Sequence, residues 1–336
     1  MNIYDISEKA GVSIATVSRV INGGANVNNK TKEKVLSVIE EYGYTPNAFA
    51  RGLGLNSMNT VGILCADSAD PYLAKAIYYV ERMLRQQNYD SILCCTGYEL
   101  KTKQKYLSLL LSKRVDSVIL IGSNFIEAED SMNDYIREAA IKVPIMLVNG
   151  AIDGKNIYCT LCDDLHAVFD ATSKCIISGK TDIMYLFNSF SYSGMKKLAG
   201  YKAALEEHKV PLREEMIQYY NKNEVTMNGV KDFLSSLNHK KVRFSAVIAA
   251  DDSLAVGVLK YAKTYGISVP DELSIIGYNN SSIAEYCDPE LTSIDNKLES
   301  LCRHCVDVLI GVLAEKEMPK RTVFSAELVK RETTAF

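Results

Sequence analysis

The sequence predicts an α/β protein in which a small all-α head precedes a two-lobed core of doubly wound parallel sheets. Two observations carry this. Residues 1–45 hold three short helical patterns with no strand-like run between them. From Thr60 onward, short β-rich runs alternate with amphipathic helices, as parallel βαβ units require. At 336 residues the chain is too long for one ordinary core and suits a small module joined to a larger one.

The first helix begins after Asn2, a good N-cap, with Ile3, Ile6 and Ala10 at helical spacing. Gly11 ends it, because glycine takes the left-handed conformation at little cost. Ser13 caps a second helix from Ile14 to about Asn22, so a three-residue turn joins the two. Val17, Val20 and Ile21 form its inner face. Asn28 and Thr31 open a third helix whose Val35, Leu36 and Ile39 complete a three-helix core, and Gly43 and Pro46 close the unit. A head at 1–45 and a linker at 46–58 follow from this.

In the core, the strand candidates are Val61 to Cys65, Ser91 to Thr96, Ser117 to Ile121, Ile145 to Val148, Ile183 to Phe187, Ala246 to Ala249 and Ser274 to Gly277, with helices such as Pro71 to Gln87 and Thr102 to Lys113 between them. Two successive βα series imply two lobes. No Pro, Gly or Ser-rich linker separates them, so the chain is expected to cross more than once, with returns near Asp288 to Ile294 and Glu317 to Pro319. The expected division is about 59–157 with 290–317 for lobe 1, and about 158–289 with 318–336 for lobe 2.

Composition narrows the function. A net charge of -3 excludes a globally basic nucleic-acid coat, so any DNA contact must be local. No stretch approaches about 18 uninterrupted apolar residues and no secretory leader is evident, which predicts a cytoplasmic protein without membrane contact. Nine cysteines scattered among apolar runs fit reduced, buried thiols rather than structural disulfides. The Cys159/Cys162 and Cys302/Cys305 spacings could form a four-thiolate zinc site, but the first lies on a strand and the second on a helix that needs its buried face. No metal or cofactor is expected. Neither a phosphate-binding glycine loop nor a nucleophile elbow occurs, so nothing supports an enzyme.

The strongest signal is GVSIATVSRVING, Gly11 to Gly23, which reads as the turn and second helix of a helix-turn-helix unit. With Val17, Val20 and Ile21 inward, the outer face is Ile14, Ala15, Ser18, Arg19 and Asn22. Arg19 can make paired hydrogen bonds to a guanine edge, while Ile14 and Ala15 offer apolar contact such as that to a thymine methyl. The head through Arg51 carries six basic against five acidic residues, so phosphate contacts would rely on neutral donors, for which Tyr4, Ser13, Ser18, Asn22 and Asn26 are available. Pro46 to Leu55 reads as a short hinge helix with Phe49 and Leu53 at i and i+4, too short to be stable alone.

Residues 1 to 58 closely resemble the DNA-binding head and hinge of the lactose/galactose repressor family, in YDISEKAGVS from Tyr4, TVSRVING from Thr16, KTKEKVLSVIEEYGYTPNAFARGL from Lys30 and NTVGIL at Asn59. The resemblance continues through DPYLAKAI at Asp70, LLLSKRVDSVILI at Leu109, KLAGYKAAL at Lys197, ADDSLAVGVL at Ala250, LSIIGYNN at Leu273 and LTSID at Leu291. It implies a core similar to periplasmic sugar-binding proteins that dimerises, leaves tetramers open, and closes on a small-molecule effector, a carbohydrate or related metabolite. It also implies a transcription regulator, most often a repressor, on a pseudo-palindromic operator. Ile14, Ala15 and Arg19 fall where the family reads bases. Leu53, beside Arg51, falls where a hinge leucine wedges into the minor groove. Gly52 and Gly54 depart from the family, each costing a helix about 1 kcal/mol relative to Ala.

In open α/β sheets ligands bind beyond the carboxyl ends of strands, which selects Asp67, Tyr72, Asn149, Tyr192, Ser193, Lys197, Asp251 and Asn279 as effector-binding candidates. Position-by-position matching selects the same set. Lys197 stands where the family often has Arg, Asp251 where Asn precedes the Asp of its pair, and Asn279 where Asp is usual, changes that touch hydroxyl-gripping positions. Asp252 is expected to cap the helix that follows it. Control by a protein partner, and a stand-alone solute-binding protein, are the rival readings.

Overall fold

The structure, a computed structural model, describes residues 2–21, 26–44, 57–221, 226–238 and 242–336. In the head, α1 (Ile3–Ala10), α2 (Ile14–Ile21) and α3 (Asn29–Glu41) pack around buried Ile6, Ala10, Val17, Val20 and Val35. Local chemistry sets each boundary. Asn2 and Asp5 form a reciprocal capping box, and Gly11 ends α1 at φ 57°. Ser13 Oγ accepts from Thr16 N at 3.2 Å to start α2, and Asn28 accepts from Thr31 N at 2.8 Å to start α3. Leu36, expected in this core, is 45% exposed, because Val35, Val38 and Ile39 already span the inward arc of α3. The hinge at Pro46 to Leu55, with Arg51 and Leu53, and the base-face residue Asn22 lie outside the described residues.

The first lobe is a six-stranded sheet in the order β11-β5-β4-β3-β1-β2, built from β1 (Thr60–Cys65), β2 (Asp90–Cys95), β3 (Ser117–Ile121), β4 (Ile145–Val148), β5 (Ile157–Cys162) and the returning β11 (Arg321–Phe324). Its strands are all parallel. Alternation along β3 sends Ile119 and Ile121 to one face and Val118 and Leu120 to the other. The first face is covered by α4 (Pro71–Gln86) and a late helix, α12 (Leu298–Leu313), and the second by α5 (Leu100–Ser112) and α6 (Asp134–Ala140). Burial on both faces explains why these strands read as continuous apolar runs.

The second lobe repeats the plan in the order β12-β10-β9-β8-β6-β7, from β6 (Ile183–Phe187), β7 (Ile217–Tyr219), β8 (Ala246–Ala249), β9 (Ser274–Tyr278), β10 (Thr292–Asp295) and the antiparallel edge β12 (Glu327–Val329). Helices α7 (Asp164–Ile177) and α8 (Tyr192–Glu207) pack together, as do α9 (Met227–Asn238) and α10 (Asp252–Tyr265); the short α11 (Ser282–Tyr286) follows β9. The chain thus crosses between lobes three times, from β5 to α7, from β10 to α12, and from β11 to β12. Each crossing falls a few residues later than the sequence suggested. Each expected boundary falls at or before the start of one of the strands β5, β10 and β11, and the chain crosses only after that strand has run its length in the sheet.

Helices α7 and α8 approach closely at Gly200, where an added Cβ would meet the Leu165 carbonyl oxygen at 2.1 Å and Leu165 C at 3.0 Å. Backbone cannot rotate away as a side chain can. Gly200→Ala should therefore force the helices apart and cost about 1–3 kcal/mol, as overpacking typically does. Urea unfolding measures this, and an unchanged midpoint would show that the interface yields.

Candidate functional site

Two surfaces carry the predicted residues. On the head, α2 is divided as its pattern requires: Val17 and Val20 are buried, while Ile14, Ala15 and Arg19 are exposed, Ile14 at 40%. Ser18 is half-buried on the flank of this face. Among the phosphate-contact candidates, Tyr4 is 67% exposed, Asn26 is exposed, and Ser13 is exposed but engaged as the α2 cap, with its hydroxyl also 2.9 Å from Thr16 Oγ1. Arg19 thus projects beside two apolar side chains at the start of α2, the arrangement that a major-groove edge demands.

The second surface lies where the carboxyl ends of the two sheets come together. Lys197, on the second turn of α8, is nearly fully buried; its ammonium donates to Ala250 O at 3.0 Å and sits 3.5 Å from the centroid of the Tyr278 ring. Asp164, the first residue of α7, accepts hydrogen bonds from Tyr278 OH and from Ser193. Burial pushes the Asp164 carboxyl up and the Lys197 ammonium down, each toward its neutral form, and the attraction between them opposes both shifts. Tyr278 OH also lies 3.9 Å from Cys162 Sγ, at the end of β5 in the other lobe. The buried Tyr72 hydroxyl of α4 lies within electrostatic reach of Asp164 and Cys162.

Asp251 is the N-cap of α10, accepting from Leu254 N at 2.8 Å and from Asn188 Nδ2 at 3.1 Å. Asp252, expected to be that cap, instead lies inside α10 and ties together the strand ends of lobe 2, accepting from Ser281 N and Oγ at 2.7 Å each and from Ser293 Oγ at 2.5 Å. The backbone explains the exchange. Asp251 is extended, as a cap must be, whereas Asp252 is already helical and its side chain turns toward β10.

The structure brings Ser193, Lys197, Tyr72 and Asp251 to one buried group. It gives the remaining candidates other settings. Tyr192 packs against the lobe 1 core and accepts from Arg321 Nη2 at 3.1 Å, a contact between lobes matched by Ser123 Oγ to Ser191 Oγ at 2.9 Å. Asn279, at φ 98°, accepts from the wholly buried Asn296 at 3.1 Å. Asn149, at φ 64°, is buried with no partner on its Oδ1. Asp67 is exposed and accepts from Ala69 N in its own turn at 2.8 Å. Orphaned acceptors in a buried site ask for a donor, a role that a bound polar ligand or water fills. Sequence reasoning missed Asp164, Tyr278 and Asn296. Asp164 follows the strand that carries Cys159 and Cys162 and has no site signal of its own there, and Tyr278 falls one residue beyond the expected strand Ser274 to Gly277.

The paired cysteines of β5 and α12 are all buried in lobe 1, and burial pushes Cys162 and Cys302 up to about 12. Among the described residues no group of three or more His, Cys, Asp and Glu side chains is placed to hold a metal ion, and no helix is long and apolar enough to cross a membrane.

An exposed helix-turn-helix face joined to a core of two parallel-sheet lobes defines a DNA-binding transcription regulator with a periplasmic-binding-protein-like core. Residues 2–47 match the bacterial regulatory proteins of the lacI family, and residues 173–334 match the periplasmic binding protein-like domain. The chain is 56% identical over the full length of both chains to an HTH-type transcriptional regulator of Lachnoclostridium phytofermentans. It is 31% identical to the PurR transcriptional repressor of Vibrio parahaemolyticus, over 98% of each chain. Its fold matches a lac repressor dimer bound to operator and an anti-inducer at a TM-score of 0.88, with 21% identity and 99% of each chain covered. The chain belongs to the LacI family of bacterial transcription regulators. The relatives that it matches along its whole length are regulators rather than enzymes.

Burial pushes the Asp251 carboxyl up to about 6 from 3.8. Between these values the folded protein holds a proton that the unfolded chain has released, so this group's contribution to stability falls as pH rises from about 4 to 6 and is level above. Asn caps a helix as well as Asp, and Asn188 can turn its amide to meet it. The melting temperature of Asp251→Asn, relative to the unaltered protein, should therefore climb between pH 4 and pH 7. A difference that stays flat would refute this account.

Proposed function

We propose that this chain is a repressor that binds a pseudo-palindromic operator as a dimer and is controlled by a small molecule held where the two lobes meet. The observation that carries the DNA reading is the division of α2, with Ile14, Ala15 and Arg19 free on one face and Val17 and Val20 locked in the head core. In this reading Arg19 grips a guanine edge, Ile14 and Ala15 take apolar base contacts, and Tyr4, Ser13, Ser18, Asn22 and Asn26 position the head on phosphates. Arg51 and Leu53 of the hinge enter the minor groove at the operator centre. The repressor relatives, PurR among them, support the direction of control.

Support for an effector comes from the buried group around Lys197. Charged side chains buried where the lobes meet, together with orphaned acceptors on Asn149 and Asn296, suit a polar, hydroxyl-bearing ligand, and a structural relative carries cellobiose. Lys197 and Asp251 would grip it as a point charge and a carboxylate, with Tyr72, Ser193 and Asn279 beside them and Asp67 and Tyr192 at the rim. Closure of the lobes on such a ligand would bias the hinge, with a coupling of about 1–3 kcal/mol typical of allosteric regulators.

Arg19→Ala should weaken binding to an operator selected from genomic fragments by about 1–3 kcal/mol, roughly ten- to a hundredfold, and leave binding to random DNA nearly unchanged. Equal affinity of the two proteins for the operator would remove Arg19 as a base reader. Saturating mono- and disaccharides should raise the melting temperature of the unaltered protein, since a ligand at a hundred times its Kd stabilises by about 2.7 kcal/mol. That rise should vanish in Lys197→Met. If no sugar stabilises the chain, control by a protein partner becomes the better reading.

A further inference from the structure

Strands β1 and β2 end in cysteines that face one another. Cys65 and Cys95 are register partners on the parallel pair, and their sulfur atoms are 3.6 Å apart. Neighbouring strands stand about 4.8 Å apart, inside the span of about 4.4–6.8 Å between Cα atoms that a disulfide bridges. The two thiols have unlike surroundings. Cys65 is wholly buried on an inner strand, while Cys95 is exposed, because β2 is the edge of the sheet. Burial, then the contact with Cys95, then the charges of Asp67 and Asp70 push the Cys65 thiol up to about 12. Cys65 therefore keeps its proton and can donate it in a hydrogen bond to the Cys95 sulfur.

We propose that Cys65 and Cys95 form a reversible two-electron oxidation site for small hydroperoxides. The Cys95 thiolate attacks the terminal oxygen of the hydroperoxide; the O–O bond breaks, an alkoxide or hydroxide leaves and takes up a proton, and Cys95 becomes a sulfenic acid. The Cys65 sulfur then attacks the Cys95 sulfur. The S–S bond forms, the S–O bond breaks, and the departing hydroxide takes the Cys65 proton as water. In sum, one hydroperoxide is reduced to its alcohol (or to water, for hydrogen peroxide), one water is released from the sulfenic acid, and two thiols become one disulfide. Cys65 is placed to resolve the sulfenic acid before it is oxidised further, which a solitary exposed cysteine could not do.

The location gives the bond a consequence. Immediately beyond the pair, Thr96 N donates to Cys65 O and Gly97 N to Ala66 O, both at 2.9 Å, and the chain then runs into Asp67 and Asp70. A covalent staple here would tighten the strand ends from which the junction of the lobes is built.

The test is peptide mapping of the full-length reduced protein after brief treatment with a small excess of hydrogen peroxide. Two of the nine thiols should be lost, with peptides 52–75 and 86–101 linked, and dithiothreitol should restore both. The link should form in Cys94→Ala and be absent in Cys95→Ala. Cys65→Ala should leave a Cys95 sulfenic acid that dimedone captures and that is scarce in the unaltered protein. The proposal is overturned if the unaltered chain gives no link between these peptides, or if the link survives in Cys95→Ala and disappears in Cys94→Ala. The mapping of the unaltered chain stands even where a variant folds poorly.

Discussion

The core depends on a small quantity of charge buried where the chain first passes from one lobe to the other. Asp164 opens α7 directly after β5, and it is held by Tyr278 from the end of β9 and Ser193 from the start of α8, with Lys197 over the tyrosine ring. Three elements of lobe 2 and one strand end of lobe 1 thus meet at one carboxylate. Desolvated charges are tolerated only while their partners stay in place, and removing one partner of such a group typically costs about 3–5 kcal/mol. Any rearrangement of the lobes must therefore keep this group together or offer its members new partners, which is what a polar ligand supplies.

The head answers to a different constraint. Helices of eight residues such as α1 and α2 cannot stand alone in water, and their boundaries rest on side-chain caps at Asn2, Ser13 and Asn28. Five buried side chains then orient α2 so that Ile14, Ala15 and Arg19 face outward. This exposed face is a by-product of packing: it exists because Val17 and Val20 are committed to the core.

How much of this was legible from sequence follows from where each signal resides. Head boundaries were readable to within a residue or two, since caps and helical spacing are local. The central strands were readable because burial on both faces gives unbroken apolar runs such as Ser117 to Ile121. The short strands β7, β11 and β12 were not, because their alternation is brief and partly exposed at the sheet edges. Within the site, Lys197 and Ser193 could be named from their strand-end position. Asp164 could not, since its partners Tyr278 and Ser193 are distant in sequence and reach it only through the packing of β9 and α8, and the exchange of capping duty between Asp251 and Asp252 turns on one residue of helix register. Contacts between sequence-distant groups, such as Cys65 with Cys95, need strand order, which no local pattern encodes.

Three separate passages between the lobes make the core hard to divide. A protease that cuts any one of them leaves the two halves still tethered by the other two, so a nicked molecule should migrate as fragments in denaturant yet remain a single particle in native buffer. The same connectivity sets the order of biosynthesis. Lobe 1 lacks α12 and β11 until nearly the whole chain has been made, so its sheet waits, open at the β5 edge, while lobe 2 is already assembling.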